Sequence, residues 1–177
     1  MRDSGNKQHF DAAVLTHLDA AYNMARWLLG DEASAEDAVQ AGCLRALRSF
    51  TSMTGPNPKA WFMAIVRNCC MDLLRERSSR ITQEYDEELH GRIAANWHES
   101  PEGSAQRAAE VRLVHGAIGA LPVEFREVIV LRELEGLSYK EIGAIVRIPI
   151  GTVMSRLSRG RERLAHLLAA QQAWKSS

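Results

Sequence analysis

Cysteine is scarce in this chain, and the three that occur are poorly placed for chemistry. Cys43, Cys69 and Cys70 stand at no metal-ligand spacing, neighbours such as Cys69 and Cys70 point to different faces of a helix, and an odd count builds no disulfide framework. They read as small core or surface thiols in a reducing compartment. Long apolar runs are missing as well. Nothing approaches the roughly 18 residues a membrane span needs, and the polar start Met1 to Lys7 is followed by no cleavable apolar stretch, so a cytoplasmic protein is expected. Also absent are a glycine-rich phosphate loop, a serine on a nucleophile elbow, and two histidines spaced to hold zinc on one helix face. The six histidines, His9, His17, His90, His98, His115 and His166, are scattered. No catalytic centre, metal or cofactor is expected.

Net charge is lacking too, at zero overall, but the zero is a cancellation. Residues 1–77 hold nine Lys/Arg and nine Asp/Glu, residues 78–104 hold two and six, and residues 105–177 hold eleven and seven. The last segment therefore carries an excess of four positive charges, the electrostatic footprint of a phosphate-backbone partner.

What is present is concentrated between Ser138 and Leu168. Ser138-Tyr139-Lys140-Glu141 has the form of a capping box, so a helix is expected to start there. Ile142, Ile145 and Val146 give it one apolar stripe. Arg147-Ile148-Pro149 ends it, because the residue before proline avoids the helical region and proline cannot continue the hydrogen-bond ladder. A second helix is expected from about Ile150, with Val153, Leu157, Leu164 and Leu168 facing inward. Between 151 and 168 it holds four arginines, Arg156, Arg159, Arg161 and Arg163, against the single acid Glu162. A solvated surface helix normally mixes signs. This pattern reads as a helix-turn-helix whose second helix enters a major groove, early turns facing base edges and later arginines facing phosphates.

The first 77 residues read as a helical bundle. Phe10, Val14, Leu18, Ala21, Tyr22, Ala25, Leu28 and Leu29 recur at helical spacing, predicting one long helix capped by Gly30. Ser34 with Asp37 resembles a capping box for a second helix, with Val39, Cys43, Leu44, Leu47 and Phe50 as its apolar stripe. Pro58 suits the first turn of a third, running to about Arg77 with Trp61, Phe62, Ile65, Val66, Cys69 and Leu73 inward. Residues 78–104 have no sustained period and include the acidic run Glu84, Asp86, Glu87 and Glu88, which predicts a flexible acidic linker that lets the ends move independently. Beyond it Val111, Leu113, Val114, Ala117 and Ile118 mark a helix closing at Leu121-Pro122. Phe125, Val128, Ile129 and Leu134 mark another, ended by Gly136. The expected fold is all-α, two small helical domains at 1–77 and 105–177 on a tether.

The order of blocks carries a resemblance. Asp37-Ala38-Val39-Gln40, Trp61 with Arg67-Asn68 and Asp72-Leu73-Leu74-Arg75, Leu121-Pro122, Leu131-Arg132-Glu133, Gly136-Leu137-Ser138-Tyr139, Glu141-Ile142, and Gly151-Thr152-Val153 with Ser155-Arg156 resemble the extracytoplasmic-function sigma factors of bacteria over nearly the whole chain. The resemblance implies a subunit that binds core RNA polymerase, selects promoter DNA as duplex and as single strand, and is held inactive by an anti-sigma factor. It implies a region 2-like bundle of three to four helices for the minus-ten element and a region 4-like helix-turn-helix for the minus-thirty-five element.

By the same resemblance, Met154, Ser155, Ser158 and Arg159 match the base-reading positions, with Thr152 at the start of the helix. Arg159 is the side chain suited to a bidentate guanine contact, and Met154, where arginine is common, suits a thymine methyl. Arg156, Arg161 and Arg163 become backbone contacts or supports beside the core. Asn68 matches an asparagine that hydrogen-bonds a flipped base, having both donors and an acceptor. Arg67 and Arg75, with Arg77 and Arg80, would track the backbone, and Trp61 reads as either a base contact or a core anchor. Polymerase contact falls on Asp37, Gln40 and Arg45. There Ala41-Gly42-Cys43 departs from the family pattern, and Gly42 costs about 1 kcal/mol against alanine in a helix, so either the polymerase contact is weaker than usual or a packed neighbour requires the missing side chain. A free-standing helix-turn-helix regulator, its first helices dimerising or sensing a ligand, is the alternative reading.

Overall fold

The computed structural model describes residues 10–53, 56–83 and 105–175, all of its regular structure there being helical. The acidic run and most of the expected linker lie outside these residues.

Gly30 and Asp31 make the first corner. Helix α1, Leu18–Leu29, ends on Gly30, whose φ of 81° suits a residue without a Cβ, and whose N–H donates to the carbonyl of Arg26. Asp31 then caps α2, Glu32–Ser49, its carboxylate accepting the Ser34 N–H at 2.8 Å. The expected cap, Ser34, is therefore corrected to Asp31, which offers the same acceptor one turn earlier. Arg77 fastens the corner, donating to the Leu29 carbonyl at 3.0 Å, to Asp31 at 2.7 Å and to Ser34 Oγ.

The long first helix is also corrected. Residues 10–14 are helical, but a 3₁₀ turn at Leu15–His17 precedes α1. The tighter turn re-phases the apolar stripe, burying Val14 and Ala21 and turning Leu15 outward. Phe10 then meets the Phe50 ring edge-on, with centroids 5.3 Å apart.

Helix α3, Pro58–Gln83, begins on the expected proline and continues past Arg77. Asn57 caps it by accepting the Ala60 N–H at 3.0 Å. Helices α2 and α3 meet through small residues: Ala35, Ala38, Gly42 and Ala46 are the buried face of α2. A Cβ on Gly42 would lie 2.6 Å from Val66 Cγ2 and 3.3 Å from Val66 Cα. The departure at Gly42 is thus explained by close approach of α3. It also corrects the predicted stripe of α2, because Leu44 and Leu47 are displaced to solvent, 53% and 60% exposed.

The C-terminal half comprises α4 (Ala105–Gly119), α5 (Val123–Ile129), α6 (Tyr139–Val146) and α7 (Ile150–Lys175). Between α5 and α6, Val130–Leu134 makes π-type hydrogen bonds, with the Glu135 N–H reaching the Val130 carbonyl at 3.1 Å. The extra residue in that turn rotates Leu134 outward, against expectation. Val111 and Val114, also expected inward, are exposed, because α4 buries only its C-terminal side through Ala117 and Ile118.

The two domains share one core. Met24, Leu28, Phe62, Met63 and Val66 from the first half pack in the same cluster as Leu121, Ile129, Leu131, Ile142, Ile145, Val153 and Leu157 from the second. Trp27 joins Ile118, Val130 and Leu164 in a smaller cluster. Helix α1 lies on α5, and α3 lies on α6.

Candidate nucleic-acid interface

The capping box forms as read. Ser138 Oγ accepts the Glu141 N–H at 3.3 Å, and the Glu141 carboxylate accepts the Ser138 N–H at 2.7 Å. These hydrogen bonds from the Ser138 N–H and hydroxyl hold the Glu141 carboxyl below the usual glutamate range. At the other end of α6 the turn is made by Arg147, in left-handed backbone at φ 61°. Gly143 permits it: a Cβ there would approach the Ile148 carbonyl oxygen to 3.0 Å. Pro149 then accepts the Thr152 and Val153 N–H groups at 2.9 and 3.1 Å and starts α7. The proline is therefore a helix opener as much as a breaker.

Val153, Leu157 and Gly160 face the core on α7, where a Cβ on Gly160 would come within 3.1 Å of Ile129. That fixes the opposite face. Met154, Ser155, Ser158 and Arg159 are all exposed and adjacent on it, Met154 at 53%. Thr152 is half-buried at the edge.

The four arginines of α7 divide by partner. Arg161 donates to Glu133 Oε1 at 2.6 Å, and Arg163 stacks over the Phe125 ring, 4.9 Å from its centroid. Arg156 donates to Glu127 Oε1 at 3.3 Å. Arg159 makes no ion pair among the described residues. The sequence alone could not sort these four, since Glu133 and Glu127 lie on other helices.

The proposed minus-ten residues are spread along α3. Trp61 stacks edge-on against Phe50 with centroids 6.2 Å apart, which is a core-anchor geometry. Asn68 is half-exposed. Arg75 pairs with Asp72 at 3.2 Å, and Arg80 with Glu76 at 2.5 Å, on the outer surface. Arg67 instead points into the joint between the halves. Its Nε donates to Glu127 Oε2 at 2.9 Å and its Nη2 to Oε1 at 3.2 Å, a bidentate fork. Glu127, only 2% exposed, thus binds one arginine from α3 and one from α7. Burial pushes its carboxyl above the usual range, opposed by Arg67 and Arg156. Sequence reading missed Glu127; an acid inside an apolar helix stripe, beside the equally buried Arg126, was the available signal.

Asp37 and Gln40 are exposed on α2, in one stripe with Leu44 and Arg48 and beside Leu47. Arg45 lies to one side, paired with Asp72 at 3.0 Å. The exposed leucines were also missed, having been read as core.

Chemistry elsewhere is quiet. Burial raises all three thiols, Cys70 to about 12, so none is a ready thiolate at neutral pH. Among the described residues no group of three or more His, Cys, Asp or Glu side chains could hold a metal. None of the described helices is long and apolar enough to cross a membrane.

Among the described residues these features define an all-helical protein of two modules on a shared core, the second carrying a helix-turn-helix. The Sigma-70 region 2 family model matches residues 13–80, and the Sigma-70, region 4 model matches residues 112–164. The chain is 34% identical over 174 residues to the ECF RNA polymerase sigma factor SigE of Mycolicibacterium smegmatis, covering 94% of this chain and 64% of that one. It is 32% identical over 166 residues to the RNA polymerase sigma-H factor of Pseudomonas aeruginosa, covering 90% of this chain and 86% of the relative. The sigma factor RpoE of Bartonella quintana, solved in complex with the anti-sigma factor NepR, superposes with a TM-score of 0.77 at 30% identity, covering 92% of this chain and 98% of that one. CnrH, solved with the cytosolic domain of CnrY, gives 0.66 at 28% identity, covering 94% and 92%. The chain belongs to the extracytoplasmic-function (ECF) family of RNA polymerase sigma factors.

Proposed function

We propose that this chain is a promoter-specific initiation factor that acts in the cytoplasm, binds core RNA polymerase, directs it to minus-thirty-five and minus-ten elements and assists melting. The observation that carries this is the succession of a region 2 match and a region 4 match on one chain. The division of labour follows the sequence reading: 1–77 for polymerase and the minus-ten element, 78–104 as linker, 105–177 for the minus-thirty-five element. Phosphodiester synthesis belongs to the polymerase, so the chain itself needs no catalytic group, metal or cofactor.

Met154, Ser155, Ser158 and Arg159 read base edges, supported by their shared exposed face on α7. Thr152 borders that face. Arg161 and Arg163 support it from the side through Glu133 and Phe125. Asn68 captures a flipped base and Arg75 follows the backbone, with Trp61 as the anchor beneath. On α2, Asp37 and Gln40 flank Leu44 and Leu47, and this mixed face docks on polymerase, with Arg45 at its edge. Apolar anchors ringed by polar groups are the usual composition of a protein contact.

An anti-sigma factor controls the chain. In support, the RpoE chain solved with NepR matches over both modules at once, so its modules are arranged much as they are here. The test is gel filtration with core polymerase followed by run-off transcription. Co-elution and a promoter-specific transcript that core alone cannot start are expected. Tight duplex binding without core, and no transcript, would favour a free-standing regulator.

A further inference from the structure

The start of α7 leaves two large apolar side chains bare. Ile150 is 48% exposed and Met154, one turn on, is 53% exposed. Spaced i, i+4, they share a stripe that continues to Ser158, with Ser155 and Arg159 on the adjoining one. Ile150 leans on the first helix of the pair, its Cγ1 3.9 Å from where a Cβ on Gly143 would stand, so its position is fixed while its outer half stays open.

Gly151, one residue after Ile150 and three before Met154, heads the adjoining stripe. The other glycines of α6 and α7 have packing reasons: a Cβ would come within 3.0 Å of the Ile148 carbonyl oxygen at Gly143, and within 3.1 Å of Ile129 at Gly160. A Cβ on Gly151 would meet nothing within 4 Å, and its φ is not positive, so the fold would accept alanine, the better helix former. The reason for a glycine here lies outside the chain. Resting on the function proposed above, we infer that Ile150 joins Met154 as a methyl-reading pair, each packing on the C5 methyl of a thymine in the minus-thirty-five element, and that bare Gly151 lets the groove approach closely enough for both.

Duplex DNA suits this patch by charge and by spacing. The first turn of α7 holds no acid to repel phosphate, and Arg159 makes no ion pair among the described residues. An apolar pair bordered by hydroxyls and a cation complements a groove floor of methyls and acceptors with phosphates at its rim. Side chains at i and i+4 stand about 5 to 6 Å apart, and base pairs stack about 3.4 Å apart, so the pair covers thymines one or two steps apart. Cytosine at either position offers a hydrogen where thymine has its methyl. Ile150 and Met154 thus discriminate by burying a methyl, whereas Arg159 discriminates by hydrogen bonding.

The test uses holoenzyme, the full chain with core polymerase, on a promoter it serves, resynthesised with deoxyuridine in place of one thymine at a time on either strand of the minus-thirty-five element. The swap removes a methyl and keeps the base pair. At the two read positions it should weaken binding about fourfold each, the scale of one buried methyl. Ile150→Ala should abolish the effect at one position and Met154→Ala at the other. Gly151→Ala should hold or raise the melting temperature yet lower promoter affinity about tenfold, a split that a purely structural glycine would not give. Deoxyuridine that is silent at every thymine, an element with no A·T pair, or methyl effects that persist in both alanine variants would overturn the pair. Full promoter affinity in Gly151→Ala would overturn the close approach. Loss of core affinity in Ile150→Ala would make the patch a protein contact and overturn it as a reader of DNA. A holoenzyme that never forms, or that protects no minus-thirty-five duplex, would instead overturn the functional reading beneath the proposal.

Discussion

Helices α2 and α7 are both pinned to the core by small residues on one side, Gly42 against Val66 and Gly160 against Ile129, and both turn a polar face outward. Their outward faces differ in kind. That of α2 mixes acids, amides and arginines around two bare leucines, whereas that of α7 offers serines, one methionine and an arginine without a carboxylate partner among the described residues. The first composition suits another protein and the second suits a base-pair edge. Charge alone therefore marks neither surface. Three of the four arginines on α7 are engaged within the fold, and the informative groups are those the fold leaves unengaged.

The comparison breaks most visibly at α2. Replacing both leucines, Leu44→Glu with Leu47→Glu, should weaken core binding by 100-fold or more if each is an interface anchor worth about 2 kcal/mol. Because both side chains are exposed, the melting temperature should barely move. Competition binding with core and calorimetry on the same samples separate the two effects. An unchanged affinity would remove α2 from the contact.

Next in size is the packing beneath it. Gly42→Val forces a Cβ into Val66 and should cost about 3 kcal/mol by overpacking, read from urea unfolding. Val66→Ala should recover part of that loss in the double variant, which would locate the strain at the joint of α2 and α3.

On α7 the contrast lies between neighbours. Arg159→Ala should lose about 1 to 3 kcal/mol of discrimination at promoters carrying the matching base and little elsewhere. Arg161→Ala, which releases an exposed pair with Glu133, should change stability by less than about 1 kcal/mol and leave base preference intact. Equal loss across all promoter sequences for Arg159→Ala would make it a phosphate contact.

The smallest effect concerns the start of α6. Ser138→Ala removes the cap and should cost about 1 kcal/mol. Glu141 contributes stability above the usual glutamate range, since its folded carboxyl titrates lower, and that contribution disappears as pH falls through the lowered value. Ser138→Ala should therefore also flatten the acid side of the stability curve, measured by thermal melts at a series of pH values.

Local chemistry was legible in the sequence wherever neighbours in the chain decide it. The Ser138–Glu141 box, the Gly30 cap, the Pro58 start and the apolar positions Val153 and Leu157 follow from contacts within a turn or two. What was not legible depends on elements far apart in the chain. Leu44 and Leu47 fit a helical stripe, but the partner helix sits on Ala38, Gly42 and Ala46, and only the Val66 contact reveals that. The cap of α2 moved to Asp31 because Arg77, 46 residues away, draws that corner together. Leu134 turned outward through a π-type turn that no periodicity announces. For the site, the face of Met154, Ser155, Ser158 and Arg159 could be drawn from helical spacing. The pairing of Arg67 and Arg156 on Glu127 could not, since it joins residues 60 and 29 positions apart.

The most direct measurement of the central claim is chemical footprinting of the chain with core polymerase on a promoter it serves. Protected intact duplex at the minus-thirty-five element and permanganate-reactive, unpaired thymines at the minus-ten element are expected, both requiring core. Duplex protection by the chain alone, with no reactive thymines when core is added, would contradict it.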